Sequence, residues 1–155
     1  MNNPIDHAAV KIHPPVLLLL HLLLSFLLHR LFPLPLAFPD VMTWMGYLLV
    51  LLGIGLAFSA VRQFIQAHTT LDPHGSVSTI VTNGPYKFSR NPIYLGLVYL
   101  LVGFSFIFNS YWGLILSPVM MIMLHQFVIR FEEAYLEEKF SGVYAGYKSR
   151  VRRWL

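Results

Sequence analysis

Four long apolar runs constrain this chain more than any other feature, at about residues 14–32, 41–61, 93–108 and 112–130. They leave too little polar sequence to cover a water-soluble core, since 56% of the 155 residues are apolar and only 12% charged. That balance lies well outside the soluble norm. A backbone in lipid has to satisfy its own N–H and C=O groups, so each run is predicted to be a membrane-spanning helix. The fold class expected is an all-α integral membrane protein of about four transmembrane helices. A cytosolic C-terminal helical extension completes a single domain over 1–155. The chain has no cysteine, which removes disulfides and thiolate metal sites. The basic residues behind its formal charge of +4 flank the spans. They suit an anionic leaflet better than nucleic acid.

Residues 1–13 read as an undemanding polar tail. The first run opens on Pro14-Pro15, and its Leu-Phe-Pro-Leu-Pro end offers no small-residue cleavage site, so it reads as a retained span. His21, Ser25 and His29 recur every four residues and share one helical face. That face either lines a polar cavity or bonds to its own helix and anchors His29 and Arg30 at the interface. The second alternative is the more ordinary. In the second run Gly46, Gly53, Gly55, Ala57 and Ala60 are small, as close helix packing requires. Pro118 is expected to kink the fourth.

The loop after the second run holds Arg62, Lys87 and Arg90, and the tail holds Lys139, Lys148, Arg150, Arg152 and Arg153, with Arg130 at the membrane edge. The opposite side offers only Arg30. The excess of cations places the long loop, the tail and both termini in the cytosol.

Polar chemistry concentrates in residues 82–96, Thr-Asn-Gly-Pro-Tyr-Lys-Phe-Ser-Arg-Asn-Pro-Ile-Tyr-Leu-Gly. Gly84-Pro85 and Asn91-Pro92 are turn-forming pairs, and each proline biases its predecessor away from helix. A helix is predicted to start at Pro92 with Asn91 as its N-cap, which leaves helix-start N–H groups facing an anionic group. After the fourth span, residues 131–140 keep helical composition and present Glu132-Glu133. Ser141-Gly142 breaks the helix, and a short one follows over about 143–151. Tyr144 and Tyr147 read as packing, and Arg152 and Arg153 as lipid-phosphate contacts. Thr69-Thr70-Leu71-Asp72-Pro73 reads as a fixed turn. The spacing of His68, Asp72 and His74 does not match a helical ligand pair, and no metal is expected.

Two separated motifs carry a resemblance. Val81-Thr82-Asn83-Gly84-Pro85-Tyr86 followed by Ser89-Arg90-Asn91-Pro92-Ile93-Tyr94-Leu95-Gly96 is similar to the cofactor motif of the isoprenylcysteine carboxyl methyltransferase and phospholipid methyltransferase superfamily. Glu132-Glu133, Leu136, Phe140, Tyr144, Tyr147 and the closing Val151-Arg152-Arg153-Trp154 resemble its second half. The likeness covers roughly residues 40–155 and is closest to small bacterial members. It implies S-adenosyl-L-methionine as methyl donor, enclosed by elements 82–96 and 131–151 at the cytosolic edge of a bacterial inner membrane. It further implies a lipid or lipidated substrate entering from the bilayer, with membrane lipids as the surroundings.

The cofactor-binding residues implied are Gly84, Pro85, Tyr86, Arg90, Asn91, Pro92, Tyr94, Gly96, Glu132 and Glu133. Arg90 and the helix start suit the methionine carboxylate. Gly84 and Gly96 permit close backbone approach. Tyr86 and Tyr94 suit adenine or the sulfonium. Glu132 or Glu133 suits the ribose diol or the ammonium. For an amine acceptor, His125 and Glu132 are the candidate proton acceptors. Isoprenylcysteine enzymes carry histidine where this chain has Asn91, so their substrate is not carried over. The other readings are an NADPH-dependent membrane reductase-like protein and a non-catalytic lipid-binding subunit.

Overall fold

The computed structural model describes residues 7–37, 39–70 and 75–155, and among them all regular structure is helical. The helices are α1 (Pro14–Leu31), α2 (Val41–Gln66), α3 (Pro92–Ile107), α4 (Tyr111–Leu124) and α5 (Arg130–Lys148). A 3-10 turn (Gly84–Lys87) precedes α3, and a π-helical turn (His125–Ile129) joins α4 to α5. Three helical stretches, Pro14–Leu31, Val41–Gln66 and Tyr111–Lys148, are long and apolar enough to cross a membrane, and α3 is a shorter apolar helix. The protein is thus an all-α membrane protein. Leucines such as Leu19, Leu23, Leu27, Leu48 and Leu51 stay exposed on α1 and α2, where lipid rather than water is their solvent.

The most extensive pairing is between α2 and α3. It rests on two reciprocal glycine contacts. A Cβ on Gly53 would lie 2.7 Å from the carbonyl oxygen of Gly96, and one on Gly96 would lie 2.7 Å from that of Gly53. Gly46 and Gly103 repeat the arrangement at 2.7 and 2.8 Å. The members of each helix are two turns apart, so one stripe of α2 meets one stripe of α3 with the backbones nearly touching. Gly55 meets nothing within 4 Å and takes no part. The space beside Gly53 and Ala57 is filled by α3.

Pro118 lies inside α4 and cannot donate to the carbonyl of Leu114. The hydroxyl of Ser117 donates to that oxygen instead, at 2.9 Å. Farther along, the π-helical turn leaves the carbonyl of Phe127 to accept from Lys11 N at 3.1 Å. This contact contradicts the expectation of an undemanding tail for residues 7–13. Ala8 and Val10 are buried in the core, and the segment lies against the end of α4. The sequence did not show that role, because period and hydropathy carry no signal in a piece as short as His-Ala-Ala-Val-Lys-Ile-His.

The two ends of the bundle differ. At one, Leu36 N donates to Asn109 Oδ1 at 3.0 Å, Tyr111 N to the Leu34 carbonyl at 3.0 Å, and Trp112 Nε1 to the Phe32 carbonyl at 2.8 Å. These bonds pin the α1–α2 connection to the α3–α4 turn. The other end gathers the N-terminal segment, the 3-10 turn, α5 and the C-terminal residues. There α5 bends at Ser141, whose φ of 29° departs from the helix. The break falls at the predicted Ser141-Gly142 pair, and an ion pair between Lys148 and Glu137 spans it.

Candidate functional site

The bend over residues 83–91 is built by backbone restriction. Gly84 adopts φ 59°, a conformation that suits glycine, and its α-carbon faces the side chain of Gln63. Pro85 then opens the 3-10 turn. Tyr86 is buried edge-on to Phe64, ring centroids 5.6 Å apart, and its carbonyl accepts from the Tyr147 hydroxyl at 2.7 Å. Asn91 precedes α3, but its side chain does not cap the helix. Its amide Nδ2 donates to the Arg153 carbonyl at 3.0 Å, and its backbone N donates to Ser89 Oγ at 3.1 Å. The expected cap is replaced by a tie to the far end of the chain. Ser89 Oγ donates to the same Arg153 carbonyl at 3.3 Å, and Arg90 N donates to the Arg152 carbonyl at 3.0 Å.

That tie brings three ionised side chains together. Arg153 meets Glu133 through two hydrogen bonds, Nε to Oε1 at 3.1 Å and Nη2 to Oε2 at 2.7 Å. Arg90 Nη1 stands 3.0 Å from Oε1 of the same carboxylate, with 8% of its side chain exposed. Burial alone would raise the pKa of Glu133. The Arg153 hydrogen bonds and the charges of Arg90 and Arg153 outweigh it and hold the carboxyl below its ordinary value. Arg153 was expected at lipid phosphates; it closes this clasp instead. Arg90 is not used up by it. Its Nε is buried with no hydrogen-bond partner among the described residues, and its Nη1, although close to Glu133, is not aligned for a hydrogen bond.

Glu132 stands in a different setting one residue away. Tyr94 Oη donates to its Oε1 at 2.5 Å. Burial pushes its carboxyl up to about 7, with the Tyr94 bond opposing and the charge of Glu133 adding to the rise. Adjacent carboxyls thus differ in kind: Glu133 is a locked anion, and Glu132 exchanges a proton near neutrality.

These groups line a cleft with a cavity of ≈ 130 Å³, within ≈ 880 Å³ of space when its open mouth is counted. Tyr86, Arg90, Asn91, Tyr94, Glu132 and Glu133 are in its wall, so six of the expected binding residues share one space. Gly84, Pro85, Pro92 and Gly96 are not. Gly84 and Pro85 shape the bend behind it, and Pro92 is buried at the first turn of α3. Gly96 faces away from the cleft toward Gly53, so the backbone approached there is α2. His125 lies in the π-helical turn outside the cleft wall, and its buried Nδ1 has no partner among the described residues.

The wall also holds residues that sequence reasoning missed or assigned elsewhere. Tyr144 and Tyr147, read as packing, face the cleft from beyond the Ser141 bend. Their three-residue spacing carried the signal, but not the direction. Tyr135 and the segment at Val77, Thr79, Ile80 and Val81 complete it. Tyr135 Oη accepts from Val77 N at 3.2 Å and from Lys139 Nζ at 3.0 Å, which lays that segment against α5. Of those loop residues only Val81 fell in a motif, as its first residue, and nothing in the sequence marked Val77, Thr79 or Ile80. Burial raises the Tyr86 and Tyr147 phenols and pushes Tyr144 up to about 12, so all three remain protonated donors. Leu71, Asp72, Pro73 and His74, part of the expected turn and of the metal set weighed against it, lie outside the described residues. The cleft can therefore receive an anion at Arg90, a cation at the tyrosine faces or Glu132, and apolar groups along Ile93, Leu136 and Val81.

Comparison with known proteins agrees with the motifs. The family model described as phospholipid methyltransferase matches residues 41–142. An uncharacterized protein of Haemophilus influenzae is 35% identical over 63 residues, covering 41% of this chain and all of that protein. No solved structure matches the chain.

Proposed function

Because the chain belongs to the phospholipid methyltransferase family, we propose that it is an S-adenosyl-L-methionine-dependent methyltransferase acting on a membrane-embedded lipid or lipidated small molecule. The observation that carries this reading is the buried Arg90 guanidinium in the cleft wall, whose Nε has no hydrogen-bond partner among the described residues while Glu133 fixes its position. A buried donor without a partner is costly and marks a site for an acceptor. A carboxylate is the matching group, and a bound amino acid moiety supplies one.

The residues present fit the cofactor. Arg90 would hold the methionine carboxylate, and the faces of Tyr86, Tyr144 and Tyr147 suit an adenine ring or a sulfonium. Glu133 already serves two guanidiniums, so Glu132 is the carboxyl left for the ammonium, the ribose or the acceptor's proton. When bound, the cofactor supplies an activated methyl group. The chain's own part is to align the acceptor and exclude water. For an amine or hydroxyl acceptor, Glu132 Oε1 would take the proton, with Tyr94 holding that oxygen in place. His125 is not positioned for this role.

The acceptor's route is proposed to be lateral, because Ile93 and Tyr94 at the start of α3 bring the cleft wall to the edge of the bilayer. The Lys and Arg excess around the cleft supports a cytosolic location for it and for both termini, in a bacterial inner membrane. The test is titration of detergent-purified protein with S-adenosyl-L-methionine in a calorimeter. Saturable heat is expected, and Arg90→Ala should weaken binding by roughly 2 kcal/mol, the scale of a charge-assisted hydrogen bond. Heat with NADPH and none with millimolar S-adenosyl-L-methionine would move the chain to the reductase-like reading, and no heat with either would favour a non-catalytic subunit.

A further inference from the structure

A second cavity, of ≈ 340 Å³, opens between the last two turns of α1 and the end of α3. It lies at the opposite end of the bundle from the cleft. The N-terminal approach to α1 contributes Ala8 to the cleft wall, whereas Ser25, His29 and Arg30 near the helix end line this cavity. The other wall brings Ser105 from α3 and Ser110 from the α3–α4 turn. His21, four residues earlier on the same face, is turned inward and bonds the Leu17 carbonyl at 2.7 Å. Of the polar face foreseen on this helix, therefore, Ser25 and His29 line a cavity and His21 does not.

His29 Nδ1 is buried there without a hydrogen-bond partner among the described residues. Arg30 has no ion pair with any described carboxylate, and its guanidinium lies 5.8 Å from the Phe26 ring. Ser110 Oγ accepts from Trp112 N, which leaves its proton to donate. A ring nitrogen able to donate, a guanidinium and a hydroxyl with a free proton line one space, and among the described residues no acidic side chain lines it. Apart from Ser25 and Ser105, whose hydroxyl donates to the Leu101 carbonyl at 3.2 Å, the rest of the wall is apolar, with Phe26 and Phe108 largely exposed toward the bilayer. Donors at one end and exposed rings beside them match a phosphodiester carrying acyl chains. A water-soluble anion would leave the rings uncovered.

We infer that this crevice holds the phosphate group of a membrane phospholipid, bound on the membrane face opposite the cleft and independent of the methyl-transfer reading. Its place between α1 and α3 means that an occupant would bridge the two helices where the structure leaves them apart.

The probe is native mass spectrometry of the detergent-purified protein with dioleoylphosphatidylglycerol, dioleoylglycerol or glycerol 3-phosphate. One phosphatidylglycerol per protein should be retained, roughly tenfold better than the phosphate-free lipid, and the double variant His29→Leu with Arg30→Ala should lose that tenfold preference. Should the double variant not fold, Arg30→Gln alone, at an exposed position, is expected to cut retention roughly threefold. Equal retention of the two lipids, or no change in whichever variant folds, would mean annular lipid only and overturn the site. Glycerol 3-phosphate bound as tightly as the lipid would overturn the lipid assignment.

Discussion

Two neighbouring carboxyls show how much a single residue's surroundings decide. Glu133 lies between Arg153 and Arg90, whereas among the described residues Glu132 takes a hydrogen bond from the Tyr94 hydroxyl and no cation. Removing the Glu133 charge leaves the buried Arg90 guanidinium facing a half-exposed Arg153, so Glu133→Gln should lower stability by about 2–3 kcal/mol, below the cost for a fully buried pair, read as a fall in the thermal midpoint in detergent. Glu132 behaves with the opposite sign. Its folded pKa is raised from 4.5 to about 7, so between those values the native state holds a proton that the unfolded chain has lost. Stability from this group is therefore greatest below pH 4.5 and falls as pH rises toward 7. The full effect is about 3 kcal/mol, and Glu132→Gln should flatten that slope in unfolding measured from pH 4 to 8. Glu133, with its pKa depressed, instead loses stabilisation as pH falls through its folded value. The sequence showed both glutamates and both arginines. It could not show which glutamate each arginine takes, because at one-residue spacing either carboxyl is within reach of a flexible guanidinium.

At the scale of helices, the α2–α3 pair depends on absent side chains. Gly53→Leu or Gly96→Leu would drive Cβ within 2.7 Å of a carbonyl oxygen, and neither backbone has room to retreat. Each should cost more than about 3 kcal/mol and abolish a folded monodisperse peak in size-exclusion chromatography. Gly55→Ala is the control. It meets nothing within 4 Å and should gain up to about 1 kcal/mol from helix propensity. The small residues of α2 were legible in the sequence as a packing stripe. Gly96 was not, since it sits inside a motif whose chemistry gave a competing reason for a glycine. The π-helical turn had no sequence signal either, yet it precedes α5 directly and so sets which face of that helix turns toward α3.

The whole molecule is polarised by long-range ties at one end. Carbonyls of residues 152 and 153 hold residues 89–91, and Tyr147 holds Tyr86. A chain ending at residue 148 would lose Arg153 and these carbonyls while keeping every apolar helix. Such a truncation should retain its helical circular dichroism and lose cofactor binding in the calorimeter by at least roughly tenfold, since one charge-assisted contact alone is worth that much. Loss of the helical signal would show instead that the clasp is needed for the bundle to form.

The amino-acid sequence alone determined the membrane class, the approximate helices and the two motifs, because lipid forces each span to satisfy its backbone within itself and so makes the decision local. Only the tertiary structure decided that Arg153 closes the clasp, that Asn91 bonds the tail instead of capping a helix, and that Ala8 and Val10 belong to the core. Those choices are made by hydrogen bonds and burial between segments tens of residues apart, and each polar group there had several partners of equal chemistry until packing left it one.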